Sequence, residues 1–374
     1  MRLLNGPLQT VIDTLLPESV FDFWLEELGA LHRKRRVMAR VVERFPETPE
    51  MITLVLQPNG HFQGFQPGQH VDVTVEIEGR KLTRSYSPSR PVSDEGLIQI
   101  SVKRVRGGAV SPFLCSQVQV GDLLELSQAY GDMQLPTQHD FQKRPLLFLA
   151  GGSGITPLSA LFFELAKRAQ RDTIPTTTLM VWAPTDTDFA FRDELETIAR
   201  SIPDLRVAFI TTRQALAKPL DSGLEHSDPL NSGRATLEQI AHRMPDWEQA
   251  SVYACGPAEF VGHLASLTAG KVQAFTAEAF TLPTLSADDG HASITLDKRG
   301  KTVTVSRGET LLDSLEDSGE TLESGCRRGI CLTCACQQVS GVSENIITGE
   351  RQQDAGMTIR PCISRPLADV TLHI

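Results

Sequence analysis

The chain has 374 residues, 40% of them hydrophobic, and a formal net charge of −10. This length exceeds one ordinary hydrophobic core and predicts two or three domains. The acidic balance argues against nucleic acid as a partner, and no apolar run approaches the ~18–20 residues that a membrane-spanning helix needs.

Residues 1–36 differ from the rest of the chain. Leu8–Leu16 and Ser19–Leu31 carry apolar residues at helical spacing, and the basic run 32–36 follows. One interpretation is an amphipathic anchor that rests on an anionic membrane surface. We favour a helical arm packed on the next domain, because the polar face of the second segment carries acidic side chains, whereas such anchors carry Lys and Arg.

Residues 37–140 show apolar alternation with a period of two, interrupted by turn signals such as Pro58-Asn59-Gly60. Several short strands with regular turns indicate a small antiparallel β-barrel. The predicted strands are Met38–Val42, Met51–Leu56, Val71–Ile77, Leu97–Val102 and Leu123–Leu126.

A first motif in this barrel is Arg84-Ser85-Tyr86-Ser87, which precedes a proline. Because side chains alternate along a strand, Arg84 and Tyr86 share one face. A flavin ring could stack on the tyrosine while the guanidinium meets a phosphate. The alternative is an ordinary strand, since tyrosine is common there.

A second motif is the glycine-rich turn Gly107–Pro112. Ser111 suits an N-cap and Pro112 the first turn of a short helix that runs to Val118. The N-terminus of such a helix is expected to bind phosphate. Glycine-rich turns also occur without any ligand, so the motif alone is a weak signal.

Residues 141–280 alternate between apolar strands and helices. The strand Pro145–Ala150 leads into Gly151–Pro157 and then into a helix. The turn is not the Rossmann fingerprint, because Pro157 stands where the third glycine belongs. Its glycines still allow a pyrophosphate to approach the backbone, and we expect Thr156 to cap the helix and Pro157 to begin it.

Three later segments read as further parallel strands with helices between them. This alternation predicts a doubly wound α/β domain that binds its ligand at the carboxyl ends of the strands. The segments are Thr178–Trp182, Arg206–Thr211 and Ser251–Ala254, the last followed by Cys255-Gly256-Pro257.

Residues 281–290 are polar and are predicted to be a linker. Beyond them, Lys298-Arg299-Gly300 gives a hairpin signal, and a leucine-rich helix stops at Gly319. A final strand follows the cysteine-rich loop. A hairpin, a crossing helix and a closing strand suit a β-grasp domain over residues 291–374.

Four cysteines have the spacing C-x4-C-x2-C…C, namely Cys326, Cys331, Cys334 and Cys362. This is the spacing of plant-type [2Fe–2S] sites, in which four thiolates hold two irons. Structural zinc usually needs two C-x2-C pairs, and only one is present. Disulfides are disfavoured because the cysteine total is odd and no signal peptide is evident. Cys336 lies outside the pattern and is interpreted as a free or buried thiol.

Taken in order, these motifs resemble the ferredoxin–NADP reductase superfamily, fused at its C-terminus to a plant-type ferredoxin domain. The resemblance covers residues 37–374, all but the N-terminal arm. It implies that Tyr86 stacks on the flavin ring, that Ser87 bonds to it, and that Glu278 and Phe280 correspond to a terminal E-x-Y in which Phe replaces Tyr. The implied flavin and nucleotide residues are Arg84, Ser85, Tyr86, Ser87, Val102, Lys103, Gly107, Gly108, Ser111, Gly152, Gly154, Thr156, Pro157, Thr212, Arg213, Cys255, Gly256, Pro257 and Phe280.

The implied activity is electron transfer from NAD(P)H through a flavin to the cluster. Ser87, Cys255 and Glu278 are the expected catalytic residues, and the four cysteines are the expected metal ligands. Some relatives with C-terminal clusters use FMN, but the barrel loops look more like those of FAD members. Thr212-Arg213 favours NADPH, because arginine suits the 2′-phosphate. Ala183-Pro184 argues for NADH, because many relatives place an arginine there.

The domain order resembles single-component reductases that supply electrons to terminal oxygenases or desaturases. The overall layout is most similar to the reductase partners of membrane fatty-acid (acyl-CoA) desaturases. We therefore expect a cytoplasmic protein with at most peripheral membrane contact. One alternative is the reductase of a soluble ring-hydroxylating oxygenase, and another is a redox sensor without turnover. Arg327 and Arg328 in the cysteine loop are expected either to contact the acceptor or to hydrogen-bond within the loop.

Overall fold

The computed structural model describes residues 31, 35–136, 144–213, 229–283, 285 and 290–374. They form two compact units: the described residues up to 66 together with 70–129, and residues 67–69 together with the rest. Most of the expected N-terminal arm (1–36) and part of the expected linker (281–290) lie outside the described residues. Within the described ranges, no helix is long and apolar enough to cross a membrane.

The first unit is a six-stranded antiparallel sheet, as the alternating pattern predicts. Along the third strand, Val71, Val73 and Val75 are buried while the residues between them are partly exposed. A bridge between Pro88 and Ile100 joins the chain after the fourth strand to the fifth, at opposite edges of the sheet. The strands are β1 (Val37–Thr48), β2 (Met51–Pro58), β3 (Val71–Ile77), β4 (Arg80–Tyr86), β5 (Ile98–Lys103) and β6 (Leu123–Leu126), in the order β4-β3-β6-β1-β2-β5.

The helix of this unit, α1 (Val110–Ser116), starts earlier than predicted. Ala109 is the N-cap and no side chain caps the helix, so the expected capping role of Ser111 is wrong. The Ser111 hydroxyl instead accepts a hydrogen bond from the Val105 N–H at 3.1 Å. Ser111 therefore holds the glycine turn closed from inside the helix.

The second unit contains a five-stranded parallel sheet, which confirms the predicted α/β fold. Every residue of its first two strands is buried, as expected where helices cover both faces. The strands are β7 (Leu146–Gly151), β8 (Thr177–Ala183), β9 (Leu205–Thr211), β10 (Ser251–Gly256) and β11 (Ala274–Ala279), in the order β11-β10-β7-β8-β9. The helices are α2 (Ile155–Arg168), α3 (Arg192–Ser201), α4 (Leu237–Arg243) and α5 (Ala258–Thr268).

The start of α2 also differs from the prediction. Gly154 is the N-cap, so Thr156 does not cap the helix and Pro157 does not begin it. A 3₁₀ turn over Gly152–Gly154 starts the helical winding before the threonine is reached. The Thr156 hydroxyl donates to the Ser153 carbonyl at 3.1 Å and lies within the first turn.

The C-terminal part of the second unit is a mixed sheet crossed by one helix, as expected of a β-grasp. Thr310 caps that helix by accepting from the Asp313 N–H at 3.1 Å. The elements are β12 (His291–Leu296), β13 (Lys301–Ser306), α6 (Leu311–Asp317), β14 (Cys336–Asn345), β15 (Arg351–Gln352), β16 (Met357–Ile359) and β17 (Ser364–Leu372). No local pattern indicated the strands β14, β15 and β16.

The α/β sheet and the C-terminal sheet share a hydrophobic core. Ala258 and Val261 on α5 belong to the same buried cluster as Leu311 and Leu315 on α6. A Cβ at Gly262 would lie 3.1 Å from the Ile347 carbonyl, so α5 passes close to the loop after β14. These two parts therefore pack as one body, and the boundary at residues 281–290 remains a prediction.

Candidate redox centre

The cysteine loop lies between α6 and β14, and Cys362 lies in a 3₁₀ turn just before β17. Three backbone N–H groups point at one sulfur: those of Arg328, Ile330 and Cys331 donate to Cys326 Sγ at 3.3–3.4 Å. Such donors stabilise electron-rich sulfur, because hydrogen bonding to the charged form favours that form. The loop therefore surrounds Cys326 with the environment that a metal-bound thiolate requires.

Two other cysteines receive backbone donors from the same loop. Gly329 N–H donates to Cys362 Sγ at 3.2 Å, and Cys326 N–H donates to Cys331 Sγ at 3.3 Å. The path of the chain depends on two glycines. A Cβ at Gly325 would lie 2.9 Å from Cys331 Sγ, and one at Gly329, where φ is +75°, would lie 2.3 Å from the Ile363 side chain.

The loop also forces two larger residues into the left-handed region, Arg327 at φ 55° and Leu332 at φ 59°. Non-glycine residues occupy this region at a cost and persist there only when their surroundings fix them. The loop conformation is thus set by the hydrogen bonds and packing around it.

The four sulfurs form two pairs, Cys326 with Cys331 and Cys334 with Cys362. Cys334 Sγ and Cys362 Sγ are 3.3 Å apart. The hydrogen bond between these two thiols lowers the pKa of Cys334 to about 6, and the same bond together with burial raises the pKa of Cys362. Among the described residues, no three ligand side chains converge as they would around one ion. A pairwise arrangement fits a [2Fe–2S] cluster, in which four thiolates serve two irons. Burial raises the pKa of Cys336, the first residue of β14, to about 12.

The predicted flavin motif lies at the end of β4. Ser85 on one face donates to Asp72 at 2.7 Å, while Arg84 and Tyr86 share the other face. Ser87 is buried, and its hydroxyl has no hydrogen-bond partner in the part of the chain that the structure describes. Buried hydroxyls are normally bonded, so this one fits contact with a bound polar ring. The motif therefore fits a flavin.

The other predicted flavin residues lie on β5 and α1. The Val102 side chain is buried in the barrel core, so only its backbone is available to a ligand. Lys103 is partly exposed at the end of the strand. Gly107, with φ +77°, and Gly108 precede α1.

The nucleotide residues come together where β7 and β10 end. Ala150 and Cys255 are partners in these neighbouring parallel strands. A Cβ at Gly154 would lie 2.0 Å from the Cys255 carbonyl oxygen, so only glycine permits this contact. Gly152, Gly154 and Thr156 thus lie beside Cys255, Gly256 and Pro257, at the edge where an α/β sheet binds its ligand.

Cys255 and Glu278 are partners in the parallel strands β10 and β11. Burial raises the pKa of Cys255 well above its usual value, and the charge of Glu278 adds to this effect. Cys255 therefore remains a neutral thiol at physiological pH. The Phe280 N–H donates to the Gly256 carbonyl at 2.9 Å and fixes the chain just beyond Glu278.

Thr212 and Arg213 follow β9 and are both exposed. Their N–H groups donate to the Ala183 and Pro184 carbonyls at 2.8 and 3.1 Å. The two sequence signals that disagreed about the nucleotide therefore lie side by side.

Two residues that lie near the cysteine loop, Arg360 and Asp132, were not predicted from the sequence. Arg360 donates to the Gly329 carbonyl in the cysteine loop at 2.6 Å and forms an ion pair with Asp132 at 3.3 Å. The position of Arg360 two residues before Cys362 was the only available signal, and nothing in the sequence indicated Asp132.

Three family models match successive segments of the chain. They are an oxidoreductase FAD-binding domain over residues 40–135, an oxidoreductase NAD-binding domain over 148–265 and a 2Fe-2S iron-sulfur cluster binding domain over 294–367. Their order agrees with the predicted order of flavin, nucleotide and cluster sites.

Curated relatives match over nearly the whole chain. An NADPH oxidoreductase of Mycobacterium tuberculosis is 28% identical, over 94% of this chain and 88% of its own. A glycine betaine monooxygenase reductase subunit of Pseudomonas aeruginosa is 28% identical, over 90% and 95% respectively. A 3-chlorobenzoate-3,4-dioxygenase reductase subunit of Comamonas testosteroni is 26% identical, over 90% and 96%. The chain is therefore an NAD(P)H-dependent oxidoreductase that combines an FAD-binding domain, an NAD-binding domain and a [2Fe–2S] domain.

Proposed function

We propose that this chain oxidises NADPH and delivers the two electrons singly to a terminal oxygenase. The observation that carries the proposal is the set of four cysteines, three of whose sulfurs receive backbone N–H donors and which lies in the same compact unit as the nucleotide-binding sheet. NADPH loses a hydride to become NADP⁺, two one-electron acceptors are reduced, and one proton is released. A bound flavin supplies the conversion between two-electron and one-electron transfer.

Each candidate catalytic residue has a limited role in this scheme. Ser87 offers its buried hydroxyl to the flavin, and Tyr86 offers a ring face. Cys255, a neutral buried thiol at the strand end, would help to exclude water from the nicotinamide site, and Glu278 on the adjacent strand would orient the nicotinamide. These roles position the reactants, while the bound cofactor supplies the redox chemistry.

The terminal acceptor is a soluble oxygenase, including the ring-hydroxylating class, in preference to a membrane desaturase. Two of the relatives named above are reductase subunits of a monooxygenase and a dioxygenase, and none of the three is named as a desaturase partner. Of the two loop arginines, Arg327 pairs with Glu316 and Asp313 on α6, which supports a role in fixing the loop to that helix. Arg328, which is partly buried in the same loop, is the residue that we propose to contact the acceptor.

Reconstitution tests this proposal. The purified reductase is supplied with NADPH and either purified oxygenase components or membranes that contain a fatty-acyl desaturase. We expect NADPH consumption coupled to product only with an oxygenase, and none with a Cys331→Ser variant. Efficient lipid desaturation without turnover of any soluble oxygenase would instead favour the desaturase.

The nucleotide is NADPH on this proposal. Arg213 is exposed after β9, where its guanidinium can meet a 2′-phosphate, and the Mycobacterium relative is named an NADPH oxidoreductase. The neighbouring Ala183-Pro184 offers no second arginine. The ratio of kcat/KM for NADPH and NADH measures the preference.

A further inference from the structure

Arg360 connects the cysteine loop to the segment that leads into β7. Its Nη1 donates to the Gly329 carbonyl at 2.6 Å, and its Nη2 pairs with Asp132 Oδ2 at 3.3 Å. Both contacts lie within one compact unit. One guanidinium therefore joins the loop that holds three of the cysteines to a carboxylate more than two hundred residues earlier in the chain.

The contact with Gly329 reaches a cysteine through a single peptide group. The Gly329 carbonyl and the Ile330 N–H belong to the same amide, and that N–H donates to Cys326 Sγ at 3.4 Å. A charged donor on the carbonyl polarises the amide and strengthens its N–H as a donor, because hydrogen bonds in a chain reinforce one another. Arg360 thus acts on Cys326 without touching it.

We propose that Arg360 raises the reduction potential of the cluster and that Asp132 limits this effect. Reduction adds one electron, hence one negative charge, to the cluster. A nearby positive charge and stronger N–H donors to sulfur stabilise the reduced form, and both factors are known to set cluster potentials. Asp132 places a negative charge on the far side of the same guanidinium and opposes it. The inference rests on the presence of the cluster and is independent of the terminal acceptor.

The setting limits the size of the effect. Arg360, Asp132, Ile330 and Glu278 line one cavity of about 410 Å³. The Arg360 side chain is 37% exposed, so solvent screens part of its charge. We therefore expect Arg360 to change the one-electron equilibrium about fivefold, which corresponds to about 40 mV for a one-electron couple.

The test is a potentiometric titration of the holoprotein, with the cluster followed by electron paramagnetic resonance and the flavin by absorbance. Arg360→Gln should lower the cluster potential by the amount above, and Arg360→Lys, which keeps the charge but loses the two-armed contact, by less. Asp132→Asn should raise the cluster potential by an amount that corresponds to a change of about twofold in the same one-electron equilibrium. The flavin potential should stay unchanged in all three.

Arg365→Gln is the matched control, since Arg365 lies three residues after Cys362 and pairs with Glu344. It removes the same charge from a position similarly near to Cys362 in the sequence, on β17, and should leave the potential at the wild-type value. An Arg360→Gln potential equal to that of wild type or of the control would overturn the proposal. Iron and sulfide analysis shows whether each variant retains the cluster. If Arg360→Gln loses the cluster, the potential shifts of Arg360→Lys and Asp132→Asn decide whether the proposal holds. Both outcomes are judged from the potential alone and do not depend on reductase activity with any acceptor.

Discussion

The cysteine loop and the end of β4 differ in whether backbone or side-chain groups supply their hydrogen bonds. In the loop, the donors to Cys326 are backbone N–H groups, which a change of side chain leaves in place. At β4, the flavin contacts are expected from side chains, above all the Ser87 hydroxyl. The loop should therefore tolerate substitutions at positions other than its cysteines and glycines. At the strand end, by contrast, each substitution should remove a contact with the flavin.

The largest effect is expected where the loop loses a ligand. Cys331→Ser should abolish the cluster signals and reduce one-electron delivery to the acceptor by more than about 100-fold, because the remaining three thiolates cannot complete both irons. Flavin reduction by NADPH, measured by stopped flow, should stay within about twofold of wild type, since the flavin motif belongs to the other compact unit. Loss of flavin reduction in a folded variant would contradict the separation of the two sites.

At β4, Ser87→Ala should slow flavin reduction by about 100-fold, the scale for removing one preorganised donor. The unfolding free energy should change by less than about 0.5 kcal/mol, because the hydroxyl has no partner within the described residues. Stopped-flow absorbance and urea unfolding measure the two quantities.

Ser89→Ala is the matched control, two residues further along. Ser89 accepts a hydrogen bond from the Ser101 hydroxyl at 2.9 Å, so its loss should cost about 1 kcal/mol of stability. Flavin reduction should be nearly unaffected. If the two variants behaved alike, the Ser87 hydroxyl would have no special relation to the flavin.

A further side-chain contact is expected at the nucleotide end. Arg213→Ala should lower the kcat/KM preference for NADPH over NADH about tenfold, or about 1.4 kcal/mol, by removing the charged partner of the 2′-phosphate. Arg206→Ala, an exposed arginine at the other end of the same strand, should leave the preference unchanged. An unaltered ratio in Arg213→Ala would rule out this assignment.

The smallest effect is expected from a charge reversal at Arg328, which changes the side chain of a loop residue and keeps its backbone N–H. Arg328→Glu keeps the N–H that donates to Cys326, so cluster content and NADPH-driven cluster reduction should be preserved. Electron delivery to the oxygenase should fall about threefold at low ionic strength, and the difference should shrink at high salt. Lys298→Glu, at the turn between β12 and β13, is the charge-reversal control. Equal slowing by both variants would point to net charge alone.

The sequence predicted the parts of this molecule that local patterns encode. Cysteine spacing revealed the cluster because three ligands come from one short loop. Buried strands such as β7 and β8 were visible as continuous apolar runs. The two predicted helix starts were wrong because Ala109 and Gly154 are the N-caps, so Ser111 and Thr156 lie inside the first turns and no side chain caps either helix.

Contacts between distant segments could not be predicted in this way. The approach of Gly154 to Cys255 joins positions about one hundred residues apart, and Arg360 reaches Asp132 across more than two hundred. The strand β14 was missed because its bulged, polar and glycine-containing sequence lacks regular alternation. These features depend on tertiary packing, which a local pattern does not record.

The shared core of α5 and α6 has a consequence for how the chain can be divided. Sequence motifs suggest that the iron–sulfur part is a removable module. Truncation before residue 290 would expose Ala258 and Val261, which now pack in the same cluster as Leu311 and Leu315. The cooperative folding unit therefore includes residues on both sides of the expected linker. A change of electron outlet by recombination would have to replace α5 together with the β-grasp sheet, because both contribute buried residues to one cluster.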